Sequence, residues 1–191
     1  VQVELSCLAD PQLGALLTRR GYALMNFENV LGCRLPVAAQ PPPEGITVAE
    51  SPEAESAAWL DLVVSGFASP DAQGVPSHES FPKDELERVM GDMSAAEGFV
   101  RYLARRGGEP AGGGAMRLHE GIAQLCGAAT LPAHRRRGVQ SALLAARLEI
   151  ASRAGCDVAV VTTQPGSKSQ ENVQKRGFEL LYTRAILVRE S

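Results

Sequence analysis

The chain is poor in aromatic residues, at 5% with a single tryptophan, and it lacks a positive-charge surplus or a long apolar run. The last two shortages each exclude a class of protein. A formal net charge of −3 argues against a general nucleic-acid binder, which gathers phosphates on a basic face. No apolar run reaches about 18 residues, so a membrane span is not expected. No basic start leads into an apolar stretch with a small-residue cleavage site. No signal peptide is therefore read, and a reducing cytoplasmic setting is the expectation. The four cysteines, Cys7, Cys33, Cys126 and Cys156, show no C-x-x-C spacing and sit in apolar runs. Buried free thiols follow, with no metal site. A methionine start is missing too: Val1 opens in mid-strand, which reads as a piece of a longer protein.

What is present is a core-forming composition. With 191 residues, 45% hydrophobic and 21% charged, the chain can bury the core of one domain, or of one domain plus a fragment. Its most telling stretch runs Thr130-Leu131-Pro132-Ala133-His134-Arg135-Arg136-Arg137-Gly138-Val139-Gln140-Ser141. An alternating apolar segment (122–131) precedes it and a helical pattern (141–154) follows. A strand that turns through a glycine-bearing loop into a helix gathers unpaired backbone N–H groups, and the helix dipole adds about half a positive charge. The turn therefore suits a phosphate or diphosphate. Three cations at a helix start oppose the dipole, and a bound anion removes that conflict. A solvated basic helix start is the plainer alternative. Gly138 lets backbone approach a ligand, Arg135, Arg136 and Arg137 supply positive potential, and the amides from Arg136 to Ser141 form the cradle.

The Pro-rich stretch 36–45 carries four prolines and no periodicity, and it reads as a semi-rigid linker. Before it stand a strand (1–6), a helix opened by Asp10-Pro11 and closed by Gly21, and a strand (22–35). The far end repeats this order: a strand (157–163), a helix (166–176) and a strand (179–189), with Arg20-Gly21-Tyr22 matching Arg176-Gly177-Phe178. A duplicated domain is expected, its first copy truncated to the last third. Between the two lie a short strand (46–49), a helix from Ser51 to about Phe67, a loop, a helix (82–93) and a three-strand meander (98–105, 111–118, 122–131). The fold class is α/β, a mixed sheet with helices on both faces. The expected boundaries are 1–36 for the truncated tail, 37–45 for the linker and 46–191 for the main domain.

The strand, Thr-Leu-Pro, then Arg135-x-x-Gly138-x-Gln140 and a helix resemble the acetyl-CoA signature of the GNAT superfamily of N-acetyltransferases. The element order and the terminal Gly177-Phe178 agree with it, and the resemblance spans about 46–191. It implies a GNAT-type fold and acetyl-CoA as acyl donor. Ala129, Thr130 and Leu131 would pair with the pantetheine arm like an added strand. Arg135, Arg136, Arg137, Gly138, Val139, Gln140 and Ser141 would take the diphosphate. The sheet would splay between the 122 and 157 strands to open the groove. Gln140 stands where the family has Gly or Ala. Val173 stands where many members carry the tyrosine that protonates the thiolate, which implies slower turnover. Ser169 is the stand-in catalytic candidate and Asn172 a further cofactor contact; polar helix surface is the alternative for both.

The implied activity is acetyl transfer from acetyl-CoA to a primary amine, small molecule or peptide, directly within a ternary complex. A non-catalytic acyl-CoA binding or sensing module is the alternative, and Val173 favours it. Candidate bases are His78, Glu79, His119 and Glu120, each also an ordinary surface residue. Cys126 could face the acyl group or the core. The run Ala111-Gly112-Gly113-Gly114-Ala115 marks a bulge, lining the acceptor site or merely distorting the strand. Trp59, Leu60, Leu62, Val63 and Phe67 read as core. The stretch from Phe67 to Phe81 reads as a lid or as disorder. The amine is not identifiable, and a homodimer remains admissible.

Overall fold

The computed structural model describes residues 1–38, 41–69 and 82–189. Along the chain run β1 (Gln2–Ser6), α1 (Pro11–Arg19), β2 (Ala23–Arg34), β3 (Ile46–Glu50), α2 (Ser56–Phe67), α3 (Lys83–Ser94) and β4 (Phe99–Arg106). Then follow β5 (Glu109–His119), β6 (Ile122–Thr130), α4 (Val139–Arg153), β7 (Val158–Thr163), α5 (Lys168–Gln174) and β8 (Glu179–Val188). The described residues form two compact units: 1–33 with 161–189, and 34–38 and 41–69 with 82–160. One division falls near the Pro-rich segment and the other inside β7. The lid read over Phe67 to Phe81, beyond its first residues, lies outside the described residues, as do His78 and Glu79.

In the first unit β8 lies antiparallel between β1 and β2, running from Gln2↔Val188 to Ser6↔Arg184 on one side and from Ala23↔Val188 to Gly32↔Glu179 on the other. The two helices of the unit start and stop alike. The Asp10 carboxylate accepts from Gln12 N at 2.9 Å, and Ser167 Oγ accepts from Gln170 N at 3.2 Å. Each helix is followed by a left-handed glycine, Gly21 at φ +82° and Gly177 at φ +85°, as helix stops require. Val30, Leu31, Val173, Phe178, Ile186 and Leu187 are buried here. The buried Asn29 amide donates to Gln170 Oε1 at 3.1 Å and accepts from Thr183 Oγ1 at 2.7 Å.

In the second unit β3, β4, β5 and β6 form an antiparallel meander. Alternation along β5 sends successive residues to opposite faces, and the glycine run exploits this. A Cβ on Gly113 would lie 2.7 Å from Val63 Cγ2 and 3.0 Å from Trp59 Nε1 of α2. One on Gly112 would lie 2.7 Å from Val139 Cγ1 of α4 and 2.9 Å from Ala129 O. One on Gly114 would lie 3.2 Å from Arg147 Cζ, again on α4. Each glycine thus admits a helix onto one face of β5, so this unit has helices on both faces and the mixed α/β class holds. The expected bulge is there, since the register shifts between Gly113 and Ala115. Helices, not an acceptor, fill the Cβ positions.

Three expectations change. Residues 51–55 do not start α2: Glu53–Glu55 form a 3-10 turn and the helix begins at Ser56. Glu53 pairs with Arg101, Glu55 pairs with Arg105 at 2.7 Å, and Ser51 N donates to Arg101 O at 2.8 Å. These contacts tie the segment to β4 in place of a helical turn. Trp59, Leu62 and Val63 are core, but Phe67 is exposed at the helix end. All four cysteines are free thiols, yet only Cys33 and Cys156 are buried, with Cys126 intermediate and Cys7 exposed.

Candidate functional site

The second unit brings Ala129, Thr130, Leu131 and 135–141 together in one continuous turn. Thr130 pairs with Gly112, and Leu131 N donates to Ala111 O at 3.0 Å, so β5 holds this strand end. A 3-10 turn (Pro132–His134) follows. The backbone then alternates: φ is −64° at Arg135, +60° at Arg136 and +83° at Gly138, with Arg137 outside the left-handed region. Turn conformations of this kind can gather successive N–H groups into an anion-binding concavity. A left-handed non-glycine residue is strained by about 1–3 kcal/mol, and Arg136 carries that strain here. Gly138 is the N-cap of α4 and no side chain caps the helix. The opening N–H groups of α4 lie ahead of its intrahelical ladder. Arg136 and Arg137 are exposed beside them.

Two members of the turn do something other than the sequence predicted. Gly138 was expected to admit a ligand at its missing Cβ, but that position faces Pro43, whose Cγ would stand 2.7 Å away. Pro43 packs against the loop, and the glycine serves that contact and the left-handed φ. Arg135 was expected to fork onto a phosphate. Instead its Nε donates to Thr130 O at 3.3 Å, and its Nη2 donates to Gly66 O at 3.2 Å and to Ser69 O. The Gly66 and Ser69 carbonyls lie at the end of α2, where a cation meets the negative helix end. Arg135 thus fixes the loop to α2, leaving Arg136 and Arg137 as the cations set outward.

Further along β6, two residues, Gly127 and Ala128, oppose the single Gly114, since Ala115 pairs with Cys126 and Gly113 with Ala129. Gly127 takes φ +57°. This is a β-bulge, which takes a residue out of the ladder and releases its backbone groups. Cys126 precedes it, and burial pushes its thiol pKa up. A groove of about 370 Å³, lined among others by Glu55, Asp61, Leu103 and Leu131, opens beside the strand end.

The remaining candidates lie elsewhere. His119 and Glu120 sit 3.7 Å apart on the exposed β5–β6 turn. Ser169 and Asn172 stand on α5 in the first unit, Ser169 exposed and Asn172 half-buried. Val173 is buried in that unit's core. Among the described residues no cluster of His, Cys, Asp and Glu could hold a metal ion, and no helix is long and apolar enough to cross a membrane. Sequence reasoning missed Arg147. Its signal was available: Val139, Leu143, Arg147 and Ala151 follow at four-residue spacing, which puts an arginine on the buried stripe of α4.

A family model described as the acetyltransferase (GNAT) family matches residues 67–178, a span containing the bulge, the turn and α4. The chain belongs to the GNAT acetyltransferase family. No curated protein matches its sequence. Solved GNAT structures share the fold. A GCN5-related N-acetyltransferase from Kribbella flavida is 21% identical with a TM-score of 0.66, over 97% of this chain and 66% of that one. One from Sphaerobacter thermophilus is 19% identical with a TM-score of 0.67, over 98% and 59%. A tandem GNAT protein from the clavulanic acid biosynthesis pathway is 15% identical with a TM-score of 0.64, over 97% and 62%. The chain thus spans about two thirds or less of the length of these GNAT structures.

Proposed function

We propose that this GNAT chain binds acetyl-CoA on the α4 turn and transfers the acetyl group to a primary amine. The observation that carries the reading is the uncapped α4 start behind an alternating-φ loop with two outward arginines. Its donors and charge fit a diphosphate. The N–H groups of 136–141 and the cations of Arg136 and Arg137 hold it, with Arg135 holding the loop. The arm between diphosphate and sulfur is about twelve bonds long, the length of about four residues or ~13 Å of strand. Counting four residues back from Leu131 reaches Gly127, where the ladder breaks. In this reading the backbone N–H of Gly127, at that break, serves the thioester carbonyl as an oxyanion-type donor.

In the transfer, the neutral amine nitrogen attacks the thioester carbonyl carbon and the C–S bond breaks. The amine gives up a proton to a base, and the sulfur gains one. Proximity on the two backbone sites supplies the main rate factor. Ser169 and Asn172 are retained as candidates for the thiol end, with Ser169 or water as proton donor in the absence of a tyrosine at Val173. The acceptor is a small-molecule or peptide amine, and no nucleic acid is involved. The matching caps and glycine stops of α1 and α5 support a duplicated ancestor.

Thiol release from acetyl-CoA, followed with a thiol reagent over a panel of primary amines, tests the reading. At least one amine should raise the rate about tenfold or more over hydrolysis, the smallest gain expected of a positioned nucleophile. CoA binding with no amine-stimulated release would instead support the sensing module that Val173 favours.

A further inference from the structure

Arg147 lies on α4 with only 3% of its surface exposed. Its Nε donates to Leu143 O at 3.1 Å, and its Nη1 donates to Ala115 O at 2.8 Å and to Cys126 O at 3.4 Å. Ala115 and Cys126 are the last paired residues before the bulge. The guanidinium reaches them because Gly114 offers no Cβ to obstruct it. Among the described residues no carboxylate pairs with Arg147. The titratable groups facing it are the Cys126 thiol and the Tyr102 phenol, whose pKa values are raised, chiefly by burial. Burial draws Arg147 down to about 10, so it keeps its charge at neutral pH. A buried cation without a counter-ion is costly, and a methionine or leucine would fill a helix–sheet contact without that cost.

We propose that Arg147 is a positioning residue for the acyl end of the site, holding the β6 bulge and sharpening its backbone donor. The chemical link is one peptide unit: the Cys126 carbonyl that accepts from Arg147 belongs to the same amide as the Gly127 N–H. A cation on the oxygen draws electron density from the nitrogen and makes its N–H a stronger donor, as in any polarised hydrogen-bond chain. The contact to Ala115 fixes the opposite strand, so the extra residue stays bulged. This inference rests on the acyl-CoA reading above and concerns the thioester carbonyl alone, leaving the diphosphate turn untouched.

The test uses acetyl-CoA labelled with carbon-13 at the thioester carbonyl, read by difference infrared spectroscopy on the full chain. Binding to the unaltered protein should move the carbonyl stretch to lower frequency. Two variants disturb the guanidinium: Arg147→Lys keeps the charge but loses the Nε anchor on Leu143 O that holds Nη1 against both carbonyls, and Gly114→Ala pushes the group by a few tenths of an ångström. Each should lose about half the frequency shift or more, while calorimetric affinity for unacylated CoA stays within about threefold, as separate donor sites require. If either variant fails to fold, the other decides. A full shift retained in the folded variants would overturn the proposal, and so would CoA affinity falling in parallel, which marks a general structural role. Failure of the unaltered protein to bind CoA would overturn the acyl-CoA reading itself, and the same titration shows it.

Discussion

Gly138→Ala should lower CoA affinity by about tenfold or more, a loss of at least ~1.4 kcal/mol of binding, with a fall in melting temperature. Two causes add. Gly138 holds φ +83°, where an L-residue costs about 1–2 kcal/mol. The new Cβ would also stand 2.7 Å from Pro43 Cγ and 3.1 Å from its Cβ, on a rigid ring with little room to yield. Either the Pro-rich segment lifts or the turn opens, and in both cases the N–H groups at the start of α4 lose alignment. Gly155→Ala separates the causes. It has φ +80° just past the other end of α4, with no atom within 4 Å of its missing Cβ. It should carry a similar backbone cost and leave CoA affinity within about twofold, since distant sites act independently. Calorimetric titration of both variants checks this, and equal affinity losses would contradict it.

Trp59→Ala should destabilise the second unit by about 3–5 kcal/mol, against a total of about 5–15 kcal/mol for a domain. Trp59 is 1% exposed, meets Phe99 edge-on at 6.1 Å between ring centres and donates Nε1 to Tyr102 O at 3.1 Å. Its ring also packs where a Cβ on Gly113 or Gly127 would lie. Truncation leaves a cavity against strands that have only hydrogen there, so little can collapse into it. Because Gly127 is the bulge residue, the loss should reach the acyl end of the site. Urea unfolding by far-UV circular dichroism should show the midpoint falling steeply, and Trp59→Phe should recover much of it. An unchanged midpoint would contradict the packing described.

Much of the fold was legible because its signals are local. Asp10-Pro11, Gly21 and Gly177 mark helix ends by backbone chemistry that needs no distant partner. The strand, basic turn and helix around Gly138 were readable for the same reason. Tertiary competition defeated local reading at Glu53 and Glu55, where β4 arginines take the acids from a helix start. Arg135 looked like a phosphate ligand because its neighbours are cations. Two of its actual partners, Gly66 and Ser69, lie more than sixty residues away. Arg147 was hidden less deeply: the four-residue spacing of α4 puts it on the buried stripe, but its carbonyl partners on β5 and β6 become visible only when the glycines of β5 are placed beneath it. Nor does composition reveal that 161–189 cluster with 1–33.

The central claim is that the backbone amides opening α4 hold the diphosphate of CoA. Nitrogen-15 amide spectra of the full chain, titrated with CoA, test it most directly. The account predicts the largest shift changes at residues 136–141, with inorganic pyrophosphate reproducing them and competing with CoA. Saturating CoA that leaves those six amides unmoved would contradict it.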